Sequence, residues 1–296
     1  MKWQGVMPAL TTTFDRHLDV DSEATVQHAL RMLACGCSGL IVGGSLGEGA
    51  TLTKAEKLDL IARLQAAGGG APIVGTVSAL STAEARSFAK DAEAAGCAGL
   101  MILPPYVYKG DWREMRSYLG EILSSTSLPC MLYNNPVAYG VDFLPEQIAE
   151  LAHAHPNLAA VKESSADVRR IAALRALLDD RLALLVGVDD AILEAMAMGA
   201  VGWVAGLVNA FPVESVRLFE YARTGMRQEA FDLYRWFLPL LRMDTVPKFV
   251  QLIKLAEDLT GEGNRRVRAP RLELAGEELA QASATLEEAL RRRPKL

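Results

Sequence analysis

The sequence has little of what metal, redox and disulfide chemistry requires. Its 296 residues include only four cysteines and four histidines. Cys35, Cys37, Cys97 and Cys130 lie in or beside apolar segments without the spacing of a disulfide framework, and no further metal-ligand pair lies near Cys35-Gly-Cys37. We therefore expect buried free thiols, with no metal and no cofactor.

Excess positive charge and long apolar runs are also missing. A formal net charge of -5 argues against a nucleic-acid-binding face, and we expect the basic end RRRPKL to be a solvated tail. No apolar run approaches the roughly 20 residues of a membrane helix. The N-terminal stretch MKWQGVMPALTTTF lacks the apolar region and cleavage site of a signal peptide. These absences predict a cytoplasmic protein that binds neither nucleic acid nor membranes.

What the sequence does contain is a series of short apolar runs. Each is four to eight residues long and lacks strict alternation, which is typical of strands buried on both faces of a parallel sheet. The eight runs are GVMPAL (5–10), GLIVGG (39–44), PIVGTV (72–77), GLMILP (99–104), PCMLYNN (129–135), LAAVKES (158–164), LALLVG (182–187) and AVGWVAG (200–206).

The segments between these runs have helical spacing. In 24–35, Val26, Ala29, Leu30 and Leu33 share one face. The segments 53–64 and 81–95 open with TKAE and STAE, which are capping boxes. The segment 189–198 begins with two aspartates, where the helix dipole favours negative charge.

Eight strands alternating with helices predict an α/β protein with a (β/α)8 TIM barrel. The alternative is an open, doubly wound sheet, although no G-x-G-x-x-G follows the first strand. From about residue 223 three helical segments follow without a strand between them. We therefore expect a catalytic barrel over residues 1–222 and a C-terminal helical region over residues 223–296, packed on the barrel.

In such barrels the chemistry gathers at the C-terminal ends of the strands. The predicted ends carry Lys162 on strand 6, Tyr133 on strand 5 and the turn GGSLGEG after strand 2, with Gly187 ending strand 7. The four histidines fall on loops or helices, where we expect surface positions. A lysine in an apolar pocket has a lowered pKa and becomes a nucleophile.

This set of residues suggests amine catalysis. Lys162 would attack a carbonyl or imine carbon, and Tyr133 would move protons. The glycines of the turn let the backbone approach a ligand, so that Ser45 and its neighbours could hold a carboxylate. The substrate would be a 2-oxo acid or a cyclic imine of one. Each feature alone has a structural explanation; their occurrence at three strand ends of one barrel favours function.

The motifs G-S-x-G-E, YNNP, VKESS and G-x-D-D resemble the dihydrodipicolinate synthase / N-acetylneuraminate lyase family of class I aldolases over nearly the whole chain. The resemblance implies that Lys162 forms the Schiff base and that Tyr133 relays protons. It implies further that Ser45, Leu46 and Gly47 bind the substrate carboxylate, that Gly187 and Val201 line the site, and that the protein is a homotetramer.

Three departures argue against dihydrodipicolinate synthesis itself. Leu46 replaces a threonine, Ala138 stands where that enzyme has an arginine for its second substrate, and Val107, between two tyrosines, stands where it has a relay tyrosine.

The combination GSLGEG, YNNPVAYGVD and VKESSADVRRI is most similar to bacterial deaminases of 1-pyrroline-4-hydroxy-2-carboxylate, in hydroxyproline degradation. The alternatives are an aldolase or dehydratase of 2-keto-3-deoxy sugar acids, the synthase itself, and a catalytically silent ligand-binding relative.

Overall fold

Eight parallel strands pair side by side in the computed structural model, which describes residues 1–106 and 108–296. They are β1 (Gly5–Pro8), β2 (Leu40–Val42), β3 (Ile73–Val77), β4 (Gly99–Ile102), β5 (Cys130–Asn134), β6 (Leu158–Glu163), β7 (Ala183–Val186) and β8 (Gly202–Ala205). Each of the eight apolar runs forms one strand, as the sequence predicts.

The strand order closes the sheet into a barrel. From β2 each strand pairs with the next in sequence as far as β8, and β8 pairs with β1. A bridge between Ala9 and Ile41, with the Leu10 N–H donating to the Ile41 carbonyl at 2.9 Å, joins β1 to β2. The prediction of a (β/α)8 barrel is confirmed, and the alternative of an open sheet is wrong.

Helices connect and cover the strands. They are α1 (Ser22–Ala34), α2 (Lys54–Ala67), α3 (Thr82–Ala94), α4 (Trp112–Leu123), α5 (Pro136–Tyr139), α6 (Pro145–Ala154), α7 (Arg169–Leu178), α8 (Ile192–Ala197), α9 (Pro212–Thr224), α10 (Arg227–Leu241), α11 (Phe249–Thr260) and α12 (Gly276–Arg291). Two 3-10 turns, Asp189–Ala191 and Arg242–Thr245, lie near the C-terminal ends of the strands.

Local side-chain chemistry fixes several helix starts. Thr53 accepts a hydrogen bond from the Glu56 N–H, and Glu56 in turn accepts from the Thr53 N–H, so the predicted capping box begins α2. Ser81 likewise accepts from the Glu84 N–H at the start of α3. These caps satisfy backbone donors that have no partner within the helix.

Two details of the helices differ from the sequence prediction. The face of α1 that is most deeply buried carries Thr25, His28, Ala29 and Met32, one residue away from much of the predicted stripe. His28 is therefore buried rather than on the surface, and its Nε2 lies 3.3 Å from Asn209 Oδ1. The apolar spacing of α1 alone could not reveal that buried Asn209 provides a polar partner.

The thiols behave largely as expected. Cys37, Cys97 and Cys130 are buried and free, whereas Cys35 is free but only partly buried. In the described part of the chain, no helix is both long enough and apolar enough to cross a membrane.

A buried ion pair ties the C-terminal helices to the turn after β2. Lys254 on α11 donates to Glu48 Oε1 at 2.8 Å, and both side chains are almost fully excluded from solvent. The Arg268 N–H donates to the other carboxylate oxygen of Glu48 at 2.9 Å. The pair thus joins residues 206 positions apart in the sequence. The division of the chain at residue 222 stays a prediction.

Replacing Glu48 with alanine should destabilise the fold strongly, because Lys254 would keep a buried charge without a counterion. We expect the free energy of unfolding to fall by about 3–5 kcal/mol. The double variant Glu48→Ala/Lys254→Met should recover much of this loss. Urea unfolding followed by circular dichroism measures both. Asp59→Ala, which breaks an exposed pair with Arg63, is the control and should cost about 1 kcal/mol or less; an equal cost at Glu48 would contradict the prediction.

Candidate active site

Neighbouring strands place an amine beside a phenol inside the barrel. Tyr133 on β5 pairs in register with Lys162 on β6, so both side chains point to the same face of the sheet. The Lys162 Nζ lies 4.1 Å from the centroid of the Tyr133 ring. Lys162 is 6% and Tyr133 5% exposed. The structure therefore brings together the two residues that the sequence singles out for catalysis.

Gly187, directly after β7, makes room for the lysine. A Cβ atom at this position would overlap both Lys162 Cε and Ser164 Oγ. The lysine side chain thus lies against the backbone of β7, where any residue larger than glycine would displace it. Gly187 therefore packs against Lys162, while its predicted contact with substrate stays a prediction.

Burial changes the protonation of both groups. Loss of water around Lys162 lowers the pKa of its amine to about 8, although Asp244 and Asp189 oppose this shift when their carboxyl groups are ionised. Burial also raises the pKa of the Tyr133 hydroxyl to about 12. Lys162 is therefore much closer to its neutral, nucleophilic form at neutral pH than an exposed lysine.

Asp189 is a buried carboxylate at the end of β7. It accepts hydrogen bonds from the indole N–H of Trp203 at 2.9 Å, from the Gly206 N–H at 3.1 Å and from the Leu207 N–H at 2.7 Å. Burial outweighs these donors and raises the pKa of Asp189 to about 6. Asp189 therefore joins the end of β7 to β8 and the turn after it. The sequence predicts instead that it stabilises the start of a helix through the helix dipole.

The turn after β2 is tightly packed. Leu46 is 3% exposed, and the Thr12 hydroxyl donates to the Gly47 carbonyl at 2.8 Å. A Cβ atom at Gly47 would lie 2.6 Å from the Leu10 carbonyl oxygen, so only glycine fits. The backbone N–H groups of Ser45, Leu46 and Gly47 donate no hydrogen bond to any group among the described residues, 1–106 and 108–296. Free amides in a turn are suited to binding a carboxylate.

Tyr139, at the end of α5, adds a second phenol hydroxyl to the site. Its hydroxyl is hydrogen-bonded to Ser45 Oγ, and its ring meets the Tyr133 ring edge-on at a centroid distance of 5.7 Å. Asn135 Nδ2 donates to the Tyr133 hydroxyl at 2.9 Å. Tyr133, Tyr139 and Ser45 thus form one polar cluster, within a single chain, between the turn after β2 and Lys162.

Val201 is the one predicted site residue that the structure does not bring to the mouth. It precedes β8, is 39% exposed, and accepts a hydrogen bond from the N–H of Gly5, which begins β1. Its place is therefore at the N-terminal end of the barrel. Val204, two residues after Gly202 on β8, is buried on the inner face and is the side chain that the prediction should have named.

Glu163, next to Lys162, is turned away from the amine. It accepts from Asn134 Nδ2 at 3.0 Å and from the Ser165 N–H at 2.7 Å. Burial raises the pKa of this carboxyl. The geometry matches the interpretation of Glu163 as a buried structural acceptor.

Tyr139 and Asp244 were missed by the sequence analysis. Tyr139 stands five residues after the end of β5, on a helix of only four residues that has no periodic pattern. Asp244 belongs to the helical region that was expected only to pack on the barrel. Val107, the position of the absent relay tyrosine, lies outside the described residues.

A buried lysine with a lowered pKa, a phenol against it and a turn of free amides at the same mouth are the parts of an enzyme that acts through a lysine Schiff base. The comparisons with known proteins define the class further. A model of the Dihydrodipicolinate synthetase family matches residues 2–289. The chain therefore belongs to this family, whose members are class I aldolase-type lyases.

Two curated relatives carry the name 4-hydroxy-tetrahydrodipicolinate synthase. The protein of Xylella fastidiosa is 35% identical over 236 residues, covering 79% of this chain and 77% of its own. That of Desulforamulus reducens is 28% identical over 275 residues, covering 93% of each chain. Among solved structures, the 4-hydroxy-tetrahydrodipicolinate synthase of Methylacidiphilum fumariolicum SolV superposes with a TM-score of 0.92 at 27% identity, over 98% of each chain.

The lowered pKa of Lys162 predicts a particular pH dependence of covalent trapping. Only the neutral amine attacks a carbonyl, so the initial rate of trapping pyruvate with borohydride should rise about tenfold per pH unit below the pKa and level off above about pH 8. Intact and peptide mass spectrometry would follow the adduct. Lys57→Met, which removes another buried amine, should leave the adduct in place. A rate still rising tenfold between pH 9 and 10 would contradict the lowered pKa.

Proposed function

We propose that this enzyme converts 1-pyrroline-4-hydroxy-2-carboxylate to 2,5-dioxopentanoate and ammonia. The observation that carries the proposal is the buried pair of Lys162 and Tyr133, in a mouth with free amides for one carboxylate. A small cyclic imine that carries its carboxylate on the imine carbon matches these groups. The reaction needs no second carbonyl substrate.

The position that would recognise a second substrate supports this choice. Ala138 is exposed, and its methyl group cannot pair with a second carboxylate. Leu46 contributes no hydroxyl, so a threonine-like relay through that side chain is not available. These features count against the synthase activity that the names of the relatives suggest, and they suit a substrate with one carboxylate and a compact ring.

The chemistry begins with ring opening. The carboxylate would bind Ser45 and the amides of Leu46 and Gly47, which directs the imine carbon C2 toward Lys162. Neutral Lys162 attacks C2, the bond from C2 to the ring nitrogen breaks, and the nitrogen leaves as a primary amine that remains attached to C5. The result is a protonated Schiff base between Lys162 and C2.

Elimination and hydrolysis complete the sequence. The Schiff base acidifies C3, from which Tyr133 moves a proton, and the resulting enamine expels the C4 hydroxyl as water. A proton then moves from C5 to C3, which leaves an enamine between C4 and C5. C4 takes up a second proton and the amine nitrogen loses one, so the C5 amine becomes an imine. Two water molecules hydrolyse the imine and the Schiff base, which releases ammonia and 2,5-dioxopentanoate. One water leaves and two enter, so the net reaction consumes one.

The assembly and compartment stay predictions from the sequence. We expect a homotetramer in the cytoplasm, as in the family that the motifs resemble. Analytical ultracentrifugation measures the assembly directly.

Ammonia release from 1-pyrroline-4-hydroxy-2-carboxylate tests the function. Wild-type enzyme should release ammonia stoichiometrically with 2,5-dioxopentanoate, and Lys162→Ala should lose at least about 10⁴-fold in rate because no Schiff base can form. Lys57→Met should retain activity and serves as the matched control for removing a buried amine. Release of pyruvate and an aldehyde from a 2-keto-3-deoxy sugar acid, without any activity on the imine, would refute the proposal in favour of an aldolase. Condensation of pyruvate with aspartate semialdehyde would favour the synthase.

A further inference from the structure

A carboxyl group from the C-terminal helical region reaches the mouth of the barrel. Asp244 lies in the 3-10 turn between α10 and α11, and this turn packs against the turn that follows β7. A Cβ atom at Gly206, directly after β8, would overlap Asp244 Oδ1. Glycine at 206 therefore leaves the space that the carboxyl group occupies. A glycine thus makes room for each group: Gly206 after β8 for the Asp244 carboxyl group, and Gly187 after β7 for the Lys162 side chain.

Asp244 has no protein partner of its own. Among residues 1–106 and 108–296, no side chain or backbone group forms a hydrogen bond or ion pair with its carboxyl group. The adjacent Arg242 turns instead to Asp190, at 3.6 Å. Asp189, by contrast, already accepts from three donors. Asp244 is only partly buried, so its carboxyl group is open to water and to a ligand in the mouth of the barrel.

The carboxyl group and the amine lie against the ends of two neighbouring strands. Gly187 and Gly206 follow β7 and β8, which are adjacent strands, and adjacent strands lie about 4.8 Å apart. When ionised, Asp244 raises the pKa of both Lys162 and Tyr133, which indicates that its carboxyl group lies near both side chains. Burial and the nearby charge of Asp189 raise the pKa of Asp244 well above its usual range, which favours its protonated form.

The protonation state of the Asp244 carboxyl group decides between two reactions of a substrate that carries a hydroxyl two bonds from the Schiff-base carbon. Cleavage of the carbon–carbon bond needs a base that removes the hydroxyl proton. Cleavage of the carbon–oxygen bond needs an acid that protonates the departing oxygen. A neutral carboxylic acid is suited to the second reaction and not to the first.

We propose that Asp244 is the general acid that protonates the hydroxyl oxygen leaving C4, and that it commits this site to elimination instead of aldol cleavage. The enamine electron pair forms the C3–C4 double bond while the C4–O bond breaks. The oxygen takes the Asp244 proton and departs as water, and the carboxylate regains a proton when water enters for hydrolysis. The identity of the leaving group rests on the proposed function.

Asp244→Asn keeps the size of the side chain but removes the transferable proton. We expect ammonia release from 1-pyrroline-4-hydroxy-2-carboxylate to fall about 10²-fold or more. Borohydride trapping of pyruvate on Lys162, and exchange of the pyruvate methyl protons in deuterium oxide, should stay within about threefold of wild type, because neither step breaks a C–O bond. Asp232→Asn, which changes an exposed aspartate on α10, is the matched control and should behave as wild type in all three assays.

Two outcomes would overturn the role of Asp244. Unchanged ammonia release in Asp244→Asn would show that the proton comes from elsewhere. Equal losses of trapping, exchange and ammonia release would show that Asp244 only positions Lys162.

A wild type that releases no ammonia would refute the proposed function, and a 4-hydroxy-2-oxo acid then tests Asp244 separately. Water loss from this acid that Asp244→Asn abolishes would support the general acid. Cleavage to pyruvate, or no loss of water, would refute it.

Discussion

Removing one ammonium group from water is the constraint on which the rest of the site depends. The Lys162 side chain ends inside the barrel, where the free energy of the charged form is raised and the neutral amine becomes accessible. Such burial is possible because glycine at 187 leaves the backbone of β7 open to the side chain. The carboxylate of Asp189 opposes this shift, and the pKa of the amine settles at about 8.

The C-terminal helices are part of this arrangement and not only a cover. They deliver Asp244 to the end of β8, and through Lys254 they hold Glu48, which follows the turn of free amides. The barrel supplies the buried amine and the phenol, while the last quarter of the chain supplies a carboxyl group and anchors the turn of free amides. The expectation of a helical region that simply packs on the barrel therefore understates its contribution.

The sequence is sufficient for what depends on local pattern. Buried parallel strands appear in the sequence as short apolar runs, and these runs predict all eight strands. Their order along the chain is then enough to predict that Lys162, Tyr133 and the turn after β2 lie at the C-terminal end of the barrel. Contacts between distant segments leave no such pattern. Asp244 meets Gly206 because the 3-10 turn between α10 and α11 packs against the turn after β7, and buried His28 lies beside Asn209. Val201 was misplaced because the boundaries of a four-residue strand cannot be read to within three residues from composition alone.

The contact between Glu48 and Lys254 also orders events during synthesis on the ribosome. Glu48 emerges early, whereas its partner is made 206 residues later. Until α11 has been made, the turn beside Glu48 lacks this anchor. All eight strands precede Lys254 in the chain, so the barrel strands are made before the pair can form. The anchoring of the turn after β2 therefore requires a residue from the last fifth of the chain, so a truncation before α11 would leave that turn without its ion-pair partner.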